Sequence, residues 1–516
     1  MTYALPFITL VALAWPLVRT LGRGDLAHML VRSRRIRVLV TGALAIYLAA
    51  CLVAFLGPPA VQWVLAAAAL ICLVFFVVYT HPSYGRRRGL PPGSLTLLGQ
   101  MDQVDDRFLL KKSERHGPVF KTTLAWVPTV CVVGIDQIVK LVAQHDRRLS
   151  RGEMLYSTLI PHRFLRYMEC NSWRDRYRPL LAQALVLSGD DRFRTIVSSA
   201  VYLELEHIEA LSSARNSSGI RPHQLVPAAM LRIFITVIFG AKQNTPEMAR
   251  LEALYGILNC RKLANGDLPA AGQALSELND RVRALVDPRE GSGDSCGFRT
   301  LVEKDPALLA DDTVVGNMVA MVQVGSYDHA SLLVWIWKYL SDFPEWRDRL
   351  RREVESGGNP VKGGLADRII SETLRLEQSE YLKRTALETL EFDGFRIPKG
   401  WSVQMCLRES HQDPTHFSAP QRFNPDRFID DPIPSQGYAP FGIGPGRCPA
   451  QQLTYRLAAC FLHELVSRYS WRVVADGPRH HDGIHWTPSL DFRIDLSRIE
   501  EQAYASTLSE PDRPKG

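Results

Sequence analysis

One cysteine near the C-terminal end of this 516-residue chain stands in a setting suited to chemistry. Cys448 follows residues 440–446, which are too rich in glycine and proline to form a helix or a strand. Residues 451–469, which come after it, have apolar side chains at helical spacing. A lone cysteine is more often a small buried apolar residue, so the prediction depends on the loop. Backbone N–H groups and the positive end of a helix dipole favour a deprotonated sulfur. The pattern therefore predicts one thiolate, presented as an anionic ligand just before a helix.

Three charged residues upstream of this cysteine form a second candidate cluster. Glu372 and Arg375 lie three residues apart in a segment with a helical pattern, residues 365–378, and therefore share a helix face. Alone, such a pair is an ordinary surface ion pair worth about 0–1 kcal/mol. Arg427 follows in a Phe-Asn-Pro-Asp-Arg-Phe segment that precedes the cysteine loop. Because a buried charge needs several partners, a glutamate with two arginines is a physically sensible unit.

In this order, the Glu-x-x-Arg helix, the arginine segment and the cysteine loop resemble the motifs of the cytochrome P450 family. The resemblance covers roughly residues 82–497. It implies the fold of that family, with haem b as cofactor and Cys448 as the proximal iron ligand, whose thiolate pushes electron density toward bound oxygen. Phe441 and Gly444 match the family's loop, and Phe441 would pack on the sulfur side. The resemblance also implies that Glu372, Arg375 and Arg427 form a buried charged triad that holds the segment beneath the haem.

The loop departs from the family pattern where a contact to a haem propionate is usual. Gly446 stands where arginine or histidine is common, Arg447 comes one residue later, and Ala450 replaces the last glycine. The resemblance offers Arg384 and Trp173 as other propionate partners. The sequence does not distinguish which of three arginines would assist Trp173: Arg174, Arg176 or Arg178. The alternative is that these arginines form a solvated basic face.

The largest departure lies in a long helix, predicted from an acidic N-cap at Asp311 to about Ser341. Asp328 aligns with the acid of the family's oxygen-activation motif, but His329 replaces the threonine. Histidine can carry a proton near neutral pH, so His329 could serve in a proton relay. It could equally alter the chemistry of the distal pocket, or touch only water or substrate. Asp328 and His329 are thus the candidate catalytic residues.

Two further residues are candidate substrate contacts. Tyr327 directly precedes the aligned acid, and Glu380 follows the Glu-x-x-Arg helix. A buried carboxylate needs a partner, so Glu380 could bind an amine or a hydroxyl group of a substrate. A position on the surface is equally compatible with the sequence.

The first eighty residues are strongly apolar and predict a membrane anchor. Residues 38–56 and 61–78 each approach the roughly 20 apolar residues that span a bilayer. Residues 3–18 are apolar but shorter and contain two prolines. Three spans are preferred to two; in the alternative, the first segment lies in the membrane interface.

Arginines indicate the orientation of this anchor. They cluster between the first two apolar segments and again at residues 86–88, and such loops stay cytoplasmic. Residues 82–516 would then be cytoplasmic, at the endoplasmic reticulum of a eukaryote or the inner membrane of a bacterium.

The rest of the chain predicts a mainly α fold with a small β portion. After the anchor in residues 1–80 come a Pro/Gly-rich hinge at 81–98, a catalytic domain at 99–497 and a polar tail at 498–516. The strands include one predicted hairpin near the start of the domain and one near its end, formed by residues 119–124 with 129–133 and by residues 471–474 with 492–496.

Composition excludes several classes of protein. The net charge of +7 is mild and arginines are spread along the chain, which argues against nucleic acid binding. Nine cysteines without a CxxC pair argue against a disulfide scaffold or a structural zinc site. No Gly-x-Gly-x-x-Gly follows a strand, so we expect no fused flavin reductase and expect electrons from a separate donor, either a flavoprotein reductase or a ferredoxin.

These observations leave three hypotheses about function. The first is a membrane-anchored haem-thiolate monooxygenase that oxidises a lipophilic small molecule, with natural-product biosynthesis as its setting. The second, raised by His329, is an enzyme of the same family with atypical chemistry: rearrangement, dehydration, oxidative coupling or ring formation. The third is an inactive haem-binding membrane protein, against which the four motif residues argue.

Overall fold

The computed structural model describes most of the chain after the predicted anchor. The anchor itself, the first and last parts of the hinge and almost all of the tail lie outside the described residues. The described ranges are 88–95, 105–124, 127–150, 171–188, 194–214, 219–258, 268–289, 293–357, 363–377, 382–430, 437–481 and 486–499. The chain divides into two compact units, one built from residues up to 133 together with 385–404, and a larger one built from residues 134–384 and from 405 onward.

Helices dominate this structure. In chain order the elements are α1 (Phe108–His116), β1 (Val119–Leu124), β2 (Val127–Val132), α2 (Ile135–His145), β3 (Leu149–Ser150), α3 (Asn171–Ser188), α4 (Arg194–Ser213), α5 (Pro222–Phe239), α6 (Pro246–Ile257), α7 (Leu268–Val286), α8 (Gly297–Lys304), α9 (Asp312–Asp342), α10 (Pro344–Glu355), α11 (Leu365–Leu376), β4 (Leu382–Ala386), β5 (Leu390–Phe392), β6 (Phe395–Ile397), β7 (Ser402–Met405), α12 (Leu407–Ser410), α13 (Arg427–Asp430), α14 (Gln451–Arg468), β8 (Tyr469–Ala475), β9 (His480–His481), β10 (Trp486–Thr487) and β11 (Arg493–Arg498). The mainly α class with a small β portion is confirmed.

The smaller unit is built around the first predicted hairpin. β1 and β2 pair antiparallel, with Phe120 opposite Cys131, and β7 lies beside β2. Every residue of β1 is buried. Lys121 is buried as well, and its Nζ donates to the carbonyl of Pro91 at 2.7 Å. The hairpin prediction is confirmed, although β2 begins two residues earlier than predicted because Pro128 pairs with Thr123 at the edge of the ladder.

The core of the larger unit surrounds the long helix α9. Its N-terminus is capped as predicted, since the Asp311 carboxylate accepts from the N–H of Thr313 at 2.8 Å. Farther along, Trp337 is fully buried and packs edge-on against Phe461 of α14 and Trp471 of β8. The helix thus reaches the C-terminal strands of the unit through aromatic contacts.

α5 packs directly against the middle of α9. Among the described residues, α5 is the one helix with the length and apolar character of a bilayer span, and more than half of it is buried in this core. A Cβ atom on Gly325 of α9 would lie 2.7 Å from a ring carbon of Phe234 in α5. The two helices therefore approach as closely as they do because residue 325 has no side chain.

This close approach makes Gly325→Ala a sensitive test of the packing between α5 and α9. The added methyl group would overlap the buried Phe234 ring, and we expect the free energy of unfolding to fall by about 1–3 kcal/mol. Gly272→Ala in α7 is the matched control, because no atom lies within 4 Å of its added Cβ and alanine favours helices by about 0.5–1 kcal/mol. Denaturant titrations of the two variants would measure the difference. Equal midpoints would contradict the described packing.

The C-terminal strands differ from the predicted terminal hairpin in one respect. β8 and β11 pair antiparallel, with Trp471 opposite Leu496, as the sequence predicts. Between them the chain forms a second short pair, β9 with β10, which the sequence pattern did not reveal. Its strands have only two residues each, too few for a period-two alternation to be visible.

Candidate functional site

The loop before α14 presents Cys448 with its side chain partly exposed. The N–H of Cys448 donates to the carbonyl of Phe441 at 2.7 Å, which closes the loop on itself. Within it, the short 3-10 turn Gly444–Gly446 is followed by Arg447, whose N–H donates to the carbonyl of Gly444 at 3.0 Å. The cysteine is therefore held by backbone hydrogen bonds just before the first turn of α14.

Glycine is required at two positions of this loop. Gly442 and Gly444 have φ values of +82° and +66°, in the left-handed region that other residues adopt at a cost. A Cβ on Gly444 would also come within 2.7 Å of Val142 in α2. These two residues give the loop its tight bend and let α2 pack closely behind it.

The three charged residues of the second motif lie together in the core. Glu372 and Arg375 are both fully buried in α11 and are joined by two hydrogen bonds, Nε to Oε2 at 2.7 Å and an η nitrogen to Oε1 at 2.9 Å. Arg427, also buried, donates from Nε to Oε1 of Glu372 at 3.0 Å. The backbone N–H of Asn424 donates to the same oxygen at 2.9 Å. The single carboxylate is thus saturated with donors.

The remaining donors of the two guanidinium groups bind backbone carbonyls. Arg427 donates to the carbonyls of Ser418, Ala419 and Arg422, at 2.8, 3.4 and 3.0 Å. Arg375 donates to the carbonyl of His411 at 2.9 Å. The long segment between α12 and α13 therefore wraps around buried positive charge, which explains how a coil of this length stays ordered.

A histidine that the sequence analysis did not single out connects this cluster to the cysteine loop. His411 follows α12 and is fully buried. Its Nε2 accepts a hydrogen bond from the N–H of Ala439 at 2.9 Å, two residues before Phe441. Its ring lies 5.3 Å from the ring of Tyr438 and 6.3 Å from that of Phe417. Sequence alone carries no signal for this contact, because the two partners lie in different irregular segments.

The burial of His411 predicts a loss of stability in acid. Burial and the nearby Arg375 lower the pKa of His411 to about 3 from its ordinary value of 6.5. Below about pH 6.5 the unfolded chain binds a proton at this position that the folded chain excludes, so stability falls as the pH falls toward the folded pKa. We expect this residue to remove about 2 kcal/mol of unfolding free energy between about pH 7 and about pH 5.

Denaturant titrations of the wild type and of His411→Gln at both pH values would measure that contribution. Other titrating groups act in both proteins, so they cancel in the difference between them. A wild type and a variant with the same dependence on pH would contradict a neutral, buried His411.

A second aromatic chain joins α11 and α14 to the loop. The Tyr438 hydroxyl donates to the carbonyl of Ser371 at 2.8 Å, and the hydroxyl of Ser371 bonds to that of Tyr455 at 2.9 Å. The Tyr455 ring in turn lies 5.9 Å from the ring of Phe441. The position of Phe441 is thus set by its contact with Tyr455 of α14 as well as by its own backbone. Tyr438, Ser371 and Tyr455 were not predicted from the sequence.

The three arginines left open in α3 have different environments. Arg174 is buried and pairs with Asp146 at 3.0 Å. Arg176 is exposed and lies over the ring of Tyr177. Arg178 donates to the carbonyl of Arg447, the residue before the cysteine. Of the three, Arg178 is the one whose side chain reaches the cysteine loop.

Arg447 itself points along the next helix. Its guanidinium group donates to Oε1 of Gln451 in the first turn of α14, at 2.5 Å, and its side chain is exposed. Arg384 lies in β4 and donates to the carbonyl of its neighbour Lys383. Trp173 lies in α3, but its side chain is outside the described part of the chain, and so is Glu380.

His329 is buried in α9 beside the close contact with α5. Its Nδ1 bonds to the carbonyl of Gly325 at 2.7 Å, and its ring packs edge-on against Phe234 at 4.8 Å. Its Nε2 is buried with no hydrogen-bond partner among the described residues. Burial lowers the pKa of His329, so the ring is neutral at neutral pH. Since a carbonyl can only accept, Nδ1 carries the proton and Nε2 is left as a free acceptor.

The other two residues of this motif are less buried. Tyr327 and Asp328 are both half-buried in α9, whereas Gly325 and His329, four positions apart, share one face of the helix. The three candidate residues of α9 are therefore consecutive, and the side chain of His329 contacts α5.

The donor set limits which metal this site could hold. Among the described residues, no group of three or more His, Cys, Asp or Glu side chains could hold a metal ion. A metal that is bound to the protein by Cys448 alone would have to bring its remaining ligands with it, as the iron of a porphyrin does. A partly exposed thiol in a glycine-shaped loop fits that requirement.

Comparison with known proteins agrees with this geometry. The family model described as cytochrome P450 matches residues 298–484, which contain the charged triad and the cysteine loop. Abscisic acid 8'-hydroxylase 2 of Oryza sativa subsp. indica is 26% identical over 463 residues, which cover 80% of this chain and 88% of the relative. Abscisic acid 8'-hydroxylase 2 of Arabidopsis thaliana is 25% identical over 445 residues, covering 78% and 88%.

Solved structures show the same fold at lower identity. A retinoic acid-bound cyanobacterial CYP120A1 matches with a TM-score of 0.63 at 19% identity and covers 80% of this chain and 98% of its own. A zebra fish cytochrome P450 with progesterone matches with a TM-score of 0.63 at 18% identity, covering 76% and 99%.

Proposed function

Since this chain belongs to the cytochrome P450 family, as a monooxygenase that binds haem b, we propose that it hydroxylates a lipophilic small molecule with Cys448 as the iron ligand. The observation that carries the proposal is the fixed loop of Cys448. Its thiol is partly exposed, its backbone N–H donates to the carbonyl of Phe441, and the segment before it is held by the hydrogen bond from the N–H of Ala439 to His411. A thiolate held in this way would be in a fixed position to ligate the iron of haem b.

The residues present fit haem b, and we propose a role for each. Cys448 would ligate the iron, Phe441 would cover the sulfur, and Arg178 would bind a propionate because it is the arginine of α3 that reaches the loop. The departure at Gly446 would then be compensated from another helix. When bound, haem b supplies the iron at which dioxygen is reduced and one oxygen atom passes to the substrate.

His329 would supply the acceptor that the usual threonine hydroxyl provides in relatives with that residue. Its Nδ1 proton is fixed by the carbonyl of Gly325, and its neutral Nε2 can accept a hydrogen bond from a water or a substrate. A neutral imidazole can also take up a proton and return it, with Asp328 as its neighbouring acid in the chain. We propose that these two residues move protons at the distal side.

The proposal includes a separate electron donor and a membrane location. P450 monooxygenases use a separate redox partner and lipophilic substrates. Either a flavoprotein reductase or a ferredoxin would serve here. The apolar residues 1–80 would anchor the enzyme with its catalytic domain in the cytoplasm, close to a substrate dissolved in the bilayer. Biosynthesis of a natural product would be its setting, and the metabolite that accumulates after deletion of the gene would identify the substrate.

The experiment that tests the function has two steps. The full-length, haem-loaded protein is first reduced in carbon monoxide, and the Soret band of a thiolate-ligated haem is expected. It is then supplied with reductant, a reductase and ¹⁸O₂, with abscisic acid as the first probe because the hydroxylases of Oryza and Arabidopsis named above carry that substrate in their names. A hydroxylated product with one ¹⁸O atom, formed only with reductant, supports the proposal.

The second candidate function is an atypical reaction of the same haem site, favoured by the burial of His329 against Phe234. Turnover of a peroxide or an alcohol without dioxygen and without reductant would support that candidate. The same result would overturn the monooxygenase proposal, so the two functions give opposite outcomes in one assay.

A further inference from the structure

His411 occupies a junction between the charged triad and the cysteine loop. Its own carbonyl accepts from Arg375 at 2.9 Å, and its ring accepts from the N–H of Ala439 at 2.9 Å. Its backbone N–H completes the end of α12 by donating to the carbonyl of Leu407 at 2.9 Å. One residue thus carries hydrogen bonds to α11, to the segment before the cysteine loop and to its own helical turn, each from a different group.

The ring can make its contact in only one chemical form. A backbone N–H always donates, so Nε2 of His411 must be unprotonated and the ring proton must be on Nδ1. That proton is buried with no hydrogen-bond partner among the described residues. A group left unsatisfied in the core is unfavourable, so the contact to Ala439 is retained at a cost in stability. Such a cost is expected where a residue serves a site.

The ring is also fixed in its plane. It packs against the rings of Tyr438 and Phe417, and the guanidinium group of Arg375 lies over the Phe417 ring, 5.0 Å from its centroid. Tyr438 is held in turn by its bond to Ser371 of α11. The imidazole therefore has little freedom to turn away from Ala439, and the position of Ala439 is set by α11.

From this arrangement we propose that His411 is a positioning residue for the thiolate of Cys448. It fixes the backbone at Ala439. The Ala439 carbonyl accepts a hydrogen bond from the N–H of Gly442 at 3.0 Å, and the Phe441 carbonyl accepts one from the N–H of Cys448 at 2.7 Å. The triad thus acts on the thiolate through His411, Ala439 and the loop. This inference rests on the proposed role of Cys448 as iron ligand.

Three variants distinguish the effect of losing the hydrogen bond from the effect of changing the size of the side chain. His411→Phe keeps an aromatic ring against Phe417 and Tyr438 but has no acceptor. His411→Gln carries an acceptor near the position of Nε2, and His411→Asn carries one that is too short to reach Ala439. Tyr255→Phe is the control, because it removes a buried hydrogen bond to the carbonyl of Val319 far along the chain from the loop.

The readout is the share of the full-length haem protein that shows the thiolate-type Soret band after reduction in carbon monoxide. We expect His411→Phe and His411→Asn to lower the ratio of thiolate-ligated to unligated haem by about fivefold or more, because the Ala439 amide loses its partner. His411→Gln should keep the ratio of the wild type, and so should Tyr255→Phe. A reduction potential that is changed in the Phe and Asn variants and unchanged in the Gln variant would agree with this.

Equal ratios for the Gln and Asn variants, or an unchanged ratio for the Phe variant, would overturn the inference. If the variants fail to fold, hydrogen exchange of the wild type tests the inference instead. Hydrogen exchange at Ala439 should be as slow as at core amides, and fast exchange there would overturn the inference as well. A wild type without any thiolate band would instead refute the proposed function, so the two failures are distinguishable.

Discussion

Cys448→Ala is expected to abolish both the thiolate-type carbon monoxide spectrum and oxygen-dependent turnover. The sulfur is the one iron-ligating side chain in residues 440–450, and no group of three or more His, Cys, Asp or Glu side chains could hold a metal ion among the described residues. Without it, haem would be held by packing and propionate contacts alone, and its electronic push toward oxygen would be lost. Absorption spectroscopy and product formation with reductant would both measure the change, and we expect activity to fall below detection.

Cys460→Ala is the matched control for this variant. Cys460 lies on α14, twelve positions after Cys448, and is buried, which raises the pKa of its thiol and makes it a poor ligand. Its sulfur lies 3.7 Å from the hydroxyl oxygen of Ser198. The control should keep the spectrum and the activity of the wild type. Retention of the thiolate band by Cys448→Ala would show that Cys448 is not the iron ligand.

Glu372→Gln is expected to have the largest effect on stability. The change keeps the shape of the side chain but removes the charge that Arg375 and Arg427 share in a fully buried position. An amide would also turn an N–H group toward the Arg375 Nε, which is itself a donor. Breaking a buried ion pair in this way costs about 3–5 kcal/mol. Denaturant titration of the haem-loaded variant would measure it.

Asp495→Asn provides the comparison on the surface. Asp495 pairs with Arg472 at 2.8 Å across β8 and β11, but the arginine side chain is 68% exposed. Water screens such a pair, so its loss should cost about 0–1 kcal/mol. If the two variants were equally stable, the buried triad would contribute no more to stability than a surface ion pair. That result would contradict its proposed role in ordering the loop.

The family and the cofactor could be recognised from sequence because they depend on a few residues at fixed spacing. Glu372 and Arg375 stand three apart on one helix, and the cysteine follows a glycine-rich loop. The long helix α9 was also predictable, since its acidic cap and its length are local properties. What these features share is that a single segment of chain contains the whole pattern.

The rest of the site depends on contacts between segments that carry no pattern of their own. His411 contacts Ala439 only because the fold brings two irregular segments together, and neither residue type predicts the hydrogen bond. The same holds for the choice of Arg178 among three neighbouring arginines, which depends on the direction of α3. The packing of His329 against Phe234 required knowing that α5 lies beside α9.

The carbonyls that bind Arg427 have a consequence for the backbone that carries them. Ala419, one of these acceptors, has a φ of +43°, a left-handed conformation that costs a residue with a Cβ about 1–2 kcal/mol. The N–H of Arg422 also donates to its carbonyl, at 2.9 Å. The buried cation therefore maintains a strained turn, and the segment before α13 stores conformational energy in its folded state. Loss of the Arg427 charge would release that strain, so the segment would change to a different shape rather than loosen around the old one.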